Sequence, residues 1–264
     1  ANLQEEKLKQ YDEAIQLYTQ VLDLFPEDED TLDSLDRLYL SQENYDDLTE
    51  ILRKKLELHK DYESADMIEY RLGQIYQNKL GSVEQALDYY KSILERKPEH
   101  EQANEALRGL LGNEDYQIEA SRILESVYER TDQHEKLAEM LEIQLANESD
   151  PYTQVDLLKR IALIHQDKLS NYEATFKDFA RIVKISQEPE YLEQIENLTE
   201  VLNNTQELVD VYKDVVGNVY DPELQVSFNN KIADMLQNRL DDEAQAETFY
   251  KAALEVQNDE SHAL

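Results

Sequence analysis

Five histidines, His59, His100, His134, His165 and His262, are the side chains best suited to metal or acid–base work. A zinc-binding helix sets two histidines one turn apart so that both imidazoles reach one ion. No pair here has that spacing. His165 lies on an apolar stripe and reads as a core or half-buried residue. The acidic runs Glu27-Asp28-Glu29-Asp30 and Asp241-Asp242-Glu243 lack the alternating oxygen ligands, central glycine and closing glutamate of a calcium loop. They read as turns whose charge favours a helix N-terminus. The five glycines, Gly73, Gly81, Gly109, Gly112 and Gly217, never assemble a phosphate loop, and no Gly-x-Ser-x-Gly occurs. With 59 acidic residues, close carboxylate pairs arise by chance. The expectation is no catalytic residue, no cofactor and no metal, hence not an enzyme. Asn147, Asn197 and Asn203 open glycosylation sequons, which matter only in a eukaryotic secretory setting.

Charge narrows the partners. The chain has 26 basic and 59 acidic residues, a formal net charge of −33. Nucleic-acid binding needs clustered Lys and Arg, so nucleic acid is excluded as a partner, and an anionic membrane surface is disfavoured for the same reason. The acidity fits a basic protein or peptide partner, plain solubility, or life at high salt, and these alternatives stay open. There is no Cys, so disulfides and thiolate sites are excluded. No apolar run is long enough to span a bilayer, so no direct membrane insertion is expected. The reading is of a soluble chain, cytoplasmic or periplasmic.

What would position any binding group is helix. Five Gly and five Pro among 264 residues leave little turn chemistry for a sheet fold. Leu, Glu, Gln, Ala and Lys, all good helix formers, dominate. The sequence also repeats. Leu8, Leu80, Leu169 and Leu240 are separated by 72, 89 and 71 residues, as are Tyr18, Tyr90, Phe179 and Tyr250. Leu48, Leu137 and Leu208 follow at 89 and 71. A period near 72 is about twice the roughly 34 residues of a two-helix repeat, so each long unit holds two helical hairpins. The long units fall at about 1–60, 61–148, 149–219 and 220–264. The second is 17 residues longer, and the spacing predicts one extra helix near 113–130, where Ile118, Ile123, Leu124, Val127 and Tyr128 recur at helical intervals. About fifteen helices result. Residues 1–8 read as the end of a first helix broken at Leu8, and 259–264 as the opening of another. Both ends look cut, so a fragment of a longer array is expected.

The run from Tyr70 to Tyr76, with Ala86, Tyr90, Ile93 and Pro98, resembles a tetratricopeptide repeat of a divergent, long-array type, with a turn one residue longer than usual. Leu72, Gly73, Tyr76, Ala86, Tyr90 and Pro98 take the family's large, small, aromatic, small, aromatic and proline positions. The small positions recur as Gly73, Ala162 and Ala233, and as Ala14, Ala86, Thr175 and Ala246, letting paired helices approach closely. His165 and Leu236 replace the first-helix aromatic. The resemblance implies an all-α, right-handed α-solenoid of stacked antiparallel hairpins over 1–264. It also implies that first helices line a concave, partner-binding face. The matching positions are Tyr70, Gln74 and Gln77, then Lys159, Leu163 and Gln166, then Asn230, Asp234 and Gln237. Only Lys159 and Asn230 fit the cationic and amide clamp by which co-chaperone members hold a peptide carboxylate, which argues against that role. The leading expectation is a non-catalytic scaffold or adaptor, part of a larger assembly, binding a protein or peptide. A structural spacer and a peptide-sensing regulator are the alternatives.

Overall fold

The computed structural model describes residues 2–59 and 62–263, side chains excepted at 2–9, 62 and 259–263. Among them stand fourteen α-helices, two π-helical turns and no strand. The chain has an all-α helical repeat fold. It divides into two compact units, residues 1–133 and 134–264. The first holds α1 (Asn2–Leu24), α2 (Glu29–Ser41), α3 (Tyr45–Leu58), α4 (Tyr62–Ile75), α5 (Val83–Arg96), α6 (Glu101–Leu110) and α7 (Gln117–Arg130). The second holds α8 (His134–Ala146), α9 (Pro151–Leu163), α10 (Tyr172–Ile185), α11 (Pro189–Leu202), α12 (Thr205–Val216), α13 (Pro222–Asn238) and α14 (Glu243–Ala263). The π turns, Tyr76–Leu80 and Ile164–Lys168, extend α4 and α9.

Helix starts are written in short polar side chains. Asp28, Asn44, Asp150, Asn171 and Asp221 each accept a backbone N–H of the first turn they precede. Asp242 likewise accepts the Gln245 N–H at 3.0 Å. Both acidic runs are thus helix caps. Pro151, Pro189 and Pro222 sit in the first turns of their helices, where a missing N–H costs nothing.

The extra turn residue has a structural cause. After α4, α9 and α13 the backbone opens into a wide turn closed by a bond across six residues. Ser82 N–H donates to Tyr76 O (2.9 Å), Asn171 to His165 O (2.8 Å) and Asp242 to Leu236 O (2.9 Å). The residue before each donor is left-handed: Gly81 at φ 68°, Ser170 at 50° and Asp241 at 54°. The Leu8 position behaves differently. Helix α1 runs through it unbroken to Leu24, because Lys9 and Gln10 are good helix formers where the other turns carry Gly, Ser or Asp. The Leu8 side chain itself lies outside the described residues. Helix α14 likewise continues to Ala263 with no break at 259, and nothing in Asn258-Asp259 supplies a stop.

The expected helix near 113–130 is α7. Both α6 and α7 carry the pattern of α2: Leu35 and Leu38 map to Leu107 and Leu110 at an offset of 72, and to Leu124 and Val127 at 89.

Each unit packs its own core. In the first, Leu72, Leu87, Tyr90, Ile93, Leu107 and Leu124 are at most 1% exposed. Gly73 explains how α4 and α5 come so close: a methyl group there would lie 2.5 Å from Tyr90 Cε1. In the second, Ile161, Ile182, Ile195, Tyr212, Phe228 and Ile232 form one cluster, and Tyr212 meets Phe228 at 5.1 Å between ring centres. Ala162, Ala233, Thr175 and Ala246 are buried at the small positions.

Candidate partner-binding face

The first-helix positions in the N-terminal unit come together. Gln74 is exposed; Tyr70 and Gln77 are half-buried. The Gln74 amide donates to the Tyr70 hydroxyl at 3.0 Å, and the Tyr90 hydroxyl donates to Gln77 Oε1 at 2.8 Å. The Tyr70 ring lies 6.0 Å from both Tyr90 and His100. His100 also caps α6, its Nδ1 accepting the Ala103 N–H at 3.2 Å. Burial pushes the Tyr90 hydroxyl far above its ordinary value, so it stays a donor.

In the second unit, Lys159 holds its ammonium 5.2 Å from the Tyr191 ring centre and 3.9 Å from Asp156. Leu163 is 52% exposed, an apolar side chain presented to solvent one turn along, and Gln166 is half-buried. Asn230, Asp234 and Gln237 are exposed. The Tyr250 hydroxyl donates to Asp234 (2.5 Å) and Gln237 (3.1 Å). The Tyr90–Gln77 contact is therefore repeated, in register, as Tyr250–Gln237. At the third equivalent, Gln166, the residue in register with Tyr90 is Phe179, which has no hydroxyl.

Other contacts join successive first helices within each unit. Arg71 on α4 grips Asp36 on α2 with two bonds of 2.7 and 2.6 Å, and Tyr70 meets His100 at the start of α6. Lys159 on α9 meets Tyr191 on α11. Lys231 on α13 and Arg239 at its C-terminal cap pair with Glu196 and Glu200 on α11. Between α11, α12 and α13 lies a cavity of about 330 Å³ lined by Glu196, Glu200, Tyr212, Lys231, Asp234, Met235 and Arg239 among others. The Tyr212 hydroxyl donates to Glu196 at 2.5 Å. A second cavity, of about 420 Å³, lies between α5 and α7 over Leu94, Ile123 and Val127, with Lys91, Arg122 and Arg130 at its edge.

His100, Tyr191, Glu196 and Lys231 are the members that the sequence reading missed. Tyr250 was legible: it stands 13 residues after Gln237, as Tyr90 stands 13 after Gln77. The others meet across helices that are not hairpin partners, and no spacing encodes that.

His165 is half-buried, its Nδ1 2.6 Å from Asp178 Oδ2. Among the described residues no three His, Asp or Glu side chains gather as a metal site. No described helix is long and apolar enough to cross a membrane. In two sequons the hydroxyl residue, Thr199 or Thr205, is buried.

Comparison with known proteins agrees with this architecture. One tetratricopeptide-repeat model matches residues 31–66, and a second matches 1–28 and 69–100. Most of the first 100 residues thus match tetratricopeptide repeats. No curated protein matches it. Among solved structures, the TPR2AB domain of yeast Sti1 in its pHSP90 complex is similar at 14% identity, over 94% of this chain and 93% of that one, with a TM-score of 0.32. BtubC from P. vanneervenii follows at 10% identity, 97% and 92% coverage and a TM-score of 0.26. Pseudomonas aeruginosa pilF shows 14% identity, 96% and 99% coverage and a TM-score of 0.29. At such scores these likenesses add nothing to the functional argument.

Proposed function

We propose that the chain is a non-catalytic scaffold or adaptor that binds a protein or peptide, basic in character, along its first-helix face. Tetratricopeptide repeats generally mediate protein–protein interaction, which supports the class. The observation that carries the finer reading is the second-unit face itself. Exposed Leu163 offers an apolar contact, while Asp234, Glu196 and Glu200 edge a cavity of about 330 Å³. A lysine or arginine of the partner would enter that cavity and compete with Lys231 and Arg239 for the carboxylates. The chain's net charge of −33 would speed the encounter with such a partner.

The test is fluorescence anisotropy with a panel of labelled basic, neutral and acidic peptides. Basic peptides should bind, weaken with added salt, and lose at least about tenfold in affinity on Leu163→Asp or Asp234→Lys. Equal binding by acidic peptides, or indifference to both substitutions, would sink the proposal.

A spacer role is the second reading. It is favoured by the fact that Asp234 and Gln237 are already engaged by Tyr250, and Gln77 by Tyr90. In that case the same substitutions would leave every interaction of the chain unchanged.

A further inference from the structure

Helix α1 leaves an apolar face uncovered. Leu17, Val21, Leu24 and Phe25 are 64%, 36%, 75% and 65% exposed among the described residues, at the spacing of one helix face. Leu22 is buried and α1 packs on α2, so this stripe is a second face of the helix. By the offsets of 72, 89 and 71, α1 is the counterpart of α5, α10 and α14. Each of those is paired with a first helix, α4, α9 or α13. Ile93, Ile182 and Ala253, which stand in register with Val21, are buried there. Helix α1 runs unbroken through Leu8, so no turn at that point folds a first helix back onto it.

The last two residues of the stripe depart from the repeat. Leu24 stands where α5 has Arg96, and Phe25 where it has Lys97. Arg96 is held by two carboxylates of α4, Asp66 at 2.7 Å and Glu69. On α1 that cation is missing. No Lys, Arg or His occurs from Gln10 to Asp36, while Glu13, Asp23 and Glu27 are exposed. A carboxylate brought against Leu24 would be buried without a partner, beside an acidic helix.

We propose that this face of α1 docks an amphipathic helix of another protein, seated as α4 sits on α5 but with large apolar residues at the positions of Asp66 and Glu69. The site is separate from the first-helix positions and defines its occupant. A small residue belongs at the Gly73 position, passing Tyr18 as Gly73 passes Tyr90. Large apolar residues seven and four positions before it cover Leu24. Basic residues on the flank of the docked helix meet Glu13 and Glu27. A second copy of this chain suits the site poorly, because its first helices α4, α9 and α13 are already paired and each copy carries a net charge of −33.

Isothermal titration calorimetry of the full chain with three synthetic peptides tests this. One has the native sequence of residues 62–80, one carries Asp66→Leu and Glu69→Leu, and one carries Asp66→Asn and Glu69→Gln. The amide peptide separates loss of charge from gain of apolar contact. The leucine peptide should bind the wild type at least about tenfold tighter than either of the others. Leu24→Arg, at a largely exposed position, should reverse that order, weakening the leucine peptide and strengthening the native one through restored arginine–carboxylate bonds. Failure of the leucine peptide to bind the wild type, equal binding of all three, or an unchanged order in Leu24→Arg would overturn the docking site. Sedimentation equilibrium of the chain alone should show no association through α1. A dimer abolished by Leu24→Arg would overturn the partner helix in favour of a second copy.

Discussion

Arg71 reaches from α4 to the carboxylate of Asp36 on α2 through two hydrogen bonds, 2.7 and 2.6 Å long, and Asp36 is buried. Lys55 adds a third contact from α3 at 3.1 Å. Three helices of the first unit thus converge on one carboxylate. Burial pushes that carboxyl up, but the bonds and charges of Arg71 and Lys55 outweigh it and hold it below its usual value. A depressed carboxyl stabilises the fold above the ordinary carboxylate range and loses that contribution as pH falls through it. Removing Arg71 from a fully buried pair would cost roughly 3–5 kcal/mol. Arg71 is 35% exposed and Lys55 remains, so Arg71→Ala should cost about 2 kcal/mol at neutral pH. The gap from wild type should narrow below about pH 4. Urea unfolding at a series of pH values checks both the size and the sign.

Gly73 and Gly109 should respond in opposite directions to the same change. At Gly73 an added methyl would lie 2.5 Å from Tyr90 Cε1 and 2.9 Å from Tyr90 Cζ, and that ring is fully buried. Gly73→Ala should destabilise by about 1–3 kcal/mol, even though alanine is the better helix former. At Gly109, on α6, nothing lies within 4 Å, so Gly109→Ala should stabilise by up to about 1 kcal/mol. Denaturant midpoints of the two variants decide the matter. A neutral Gly73→Ala would mean that α4 and α5 are not in this close approach.

Ser170 occupies the left-handed turn position that glycine fills as Gly81. A left-handed conformation costs a non-glycine residue about 1–2 kcal/mol. Ser170→Gly should therefore stabilise, by about 0.5–1 kcal/mol once the freer unfolded chain is counted. Gly81→Ala should destabilise by a similar amount. Melting temperatures of the two variants measure it.

The register of Tyr18, Tyr90, Phe179 and Tyr250 was enough to place the hairpins, because one small and one large residue must recur wherever two helices touch. The gain of a helix in 61–148 was equally legible as 17 extra residues. The unbroken course of α1 was missed because Leu8 carries the repeat's leucine without the left-handed residue that ends the other first helices. His165 was read as core or half-buried and proves half-buried, but its partner Asp178 was invisible. The equivalents of that pair are Tyr76–Tyr89 and Leu236–Phe249, so the periodic signal pointed to an apolar contact. The bridges Asp36–Arg71, Lys159–Tyr191 and Glu196–Lys231 join different hairpins. Stacking makes those contacts, and spacing within a hairpin does not encode them.

The claim that the first-helix face receives a partner is tested most directly by parallel affinity capture with cross-linking and mass spectrometry from native lysate, at low and high salt. Three baits are compared: the wild type, a face variant carrying Tyr70→Ala, Leu163→Asp and Asp234→Lys, and an off-face control carrying Lys91→Glu on α5. The account predicts a basic protein that is recovered by the wild type and the control, cross-linked near Lys159 or Lys231, released at high salt and lost from the face variant. Equal recovery by all three baits would contradict it.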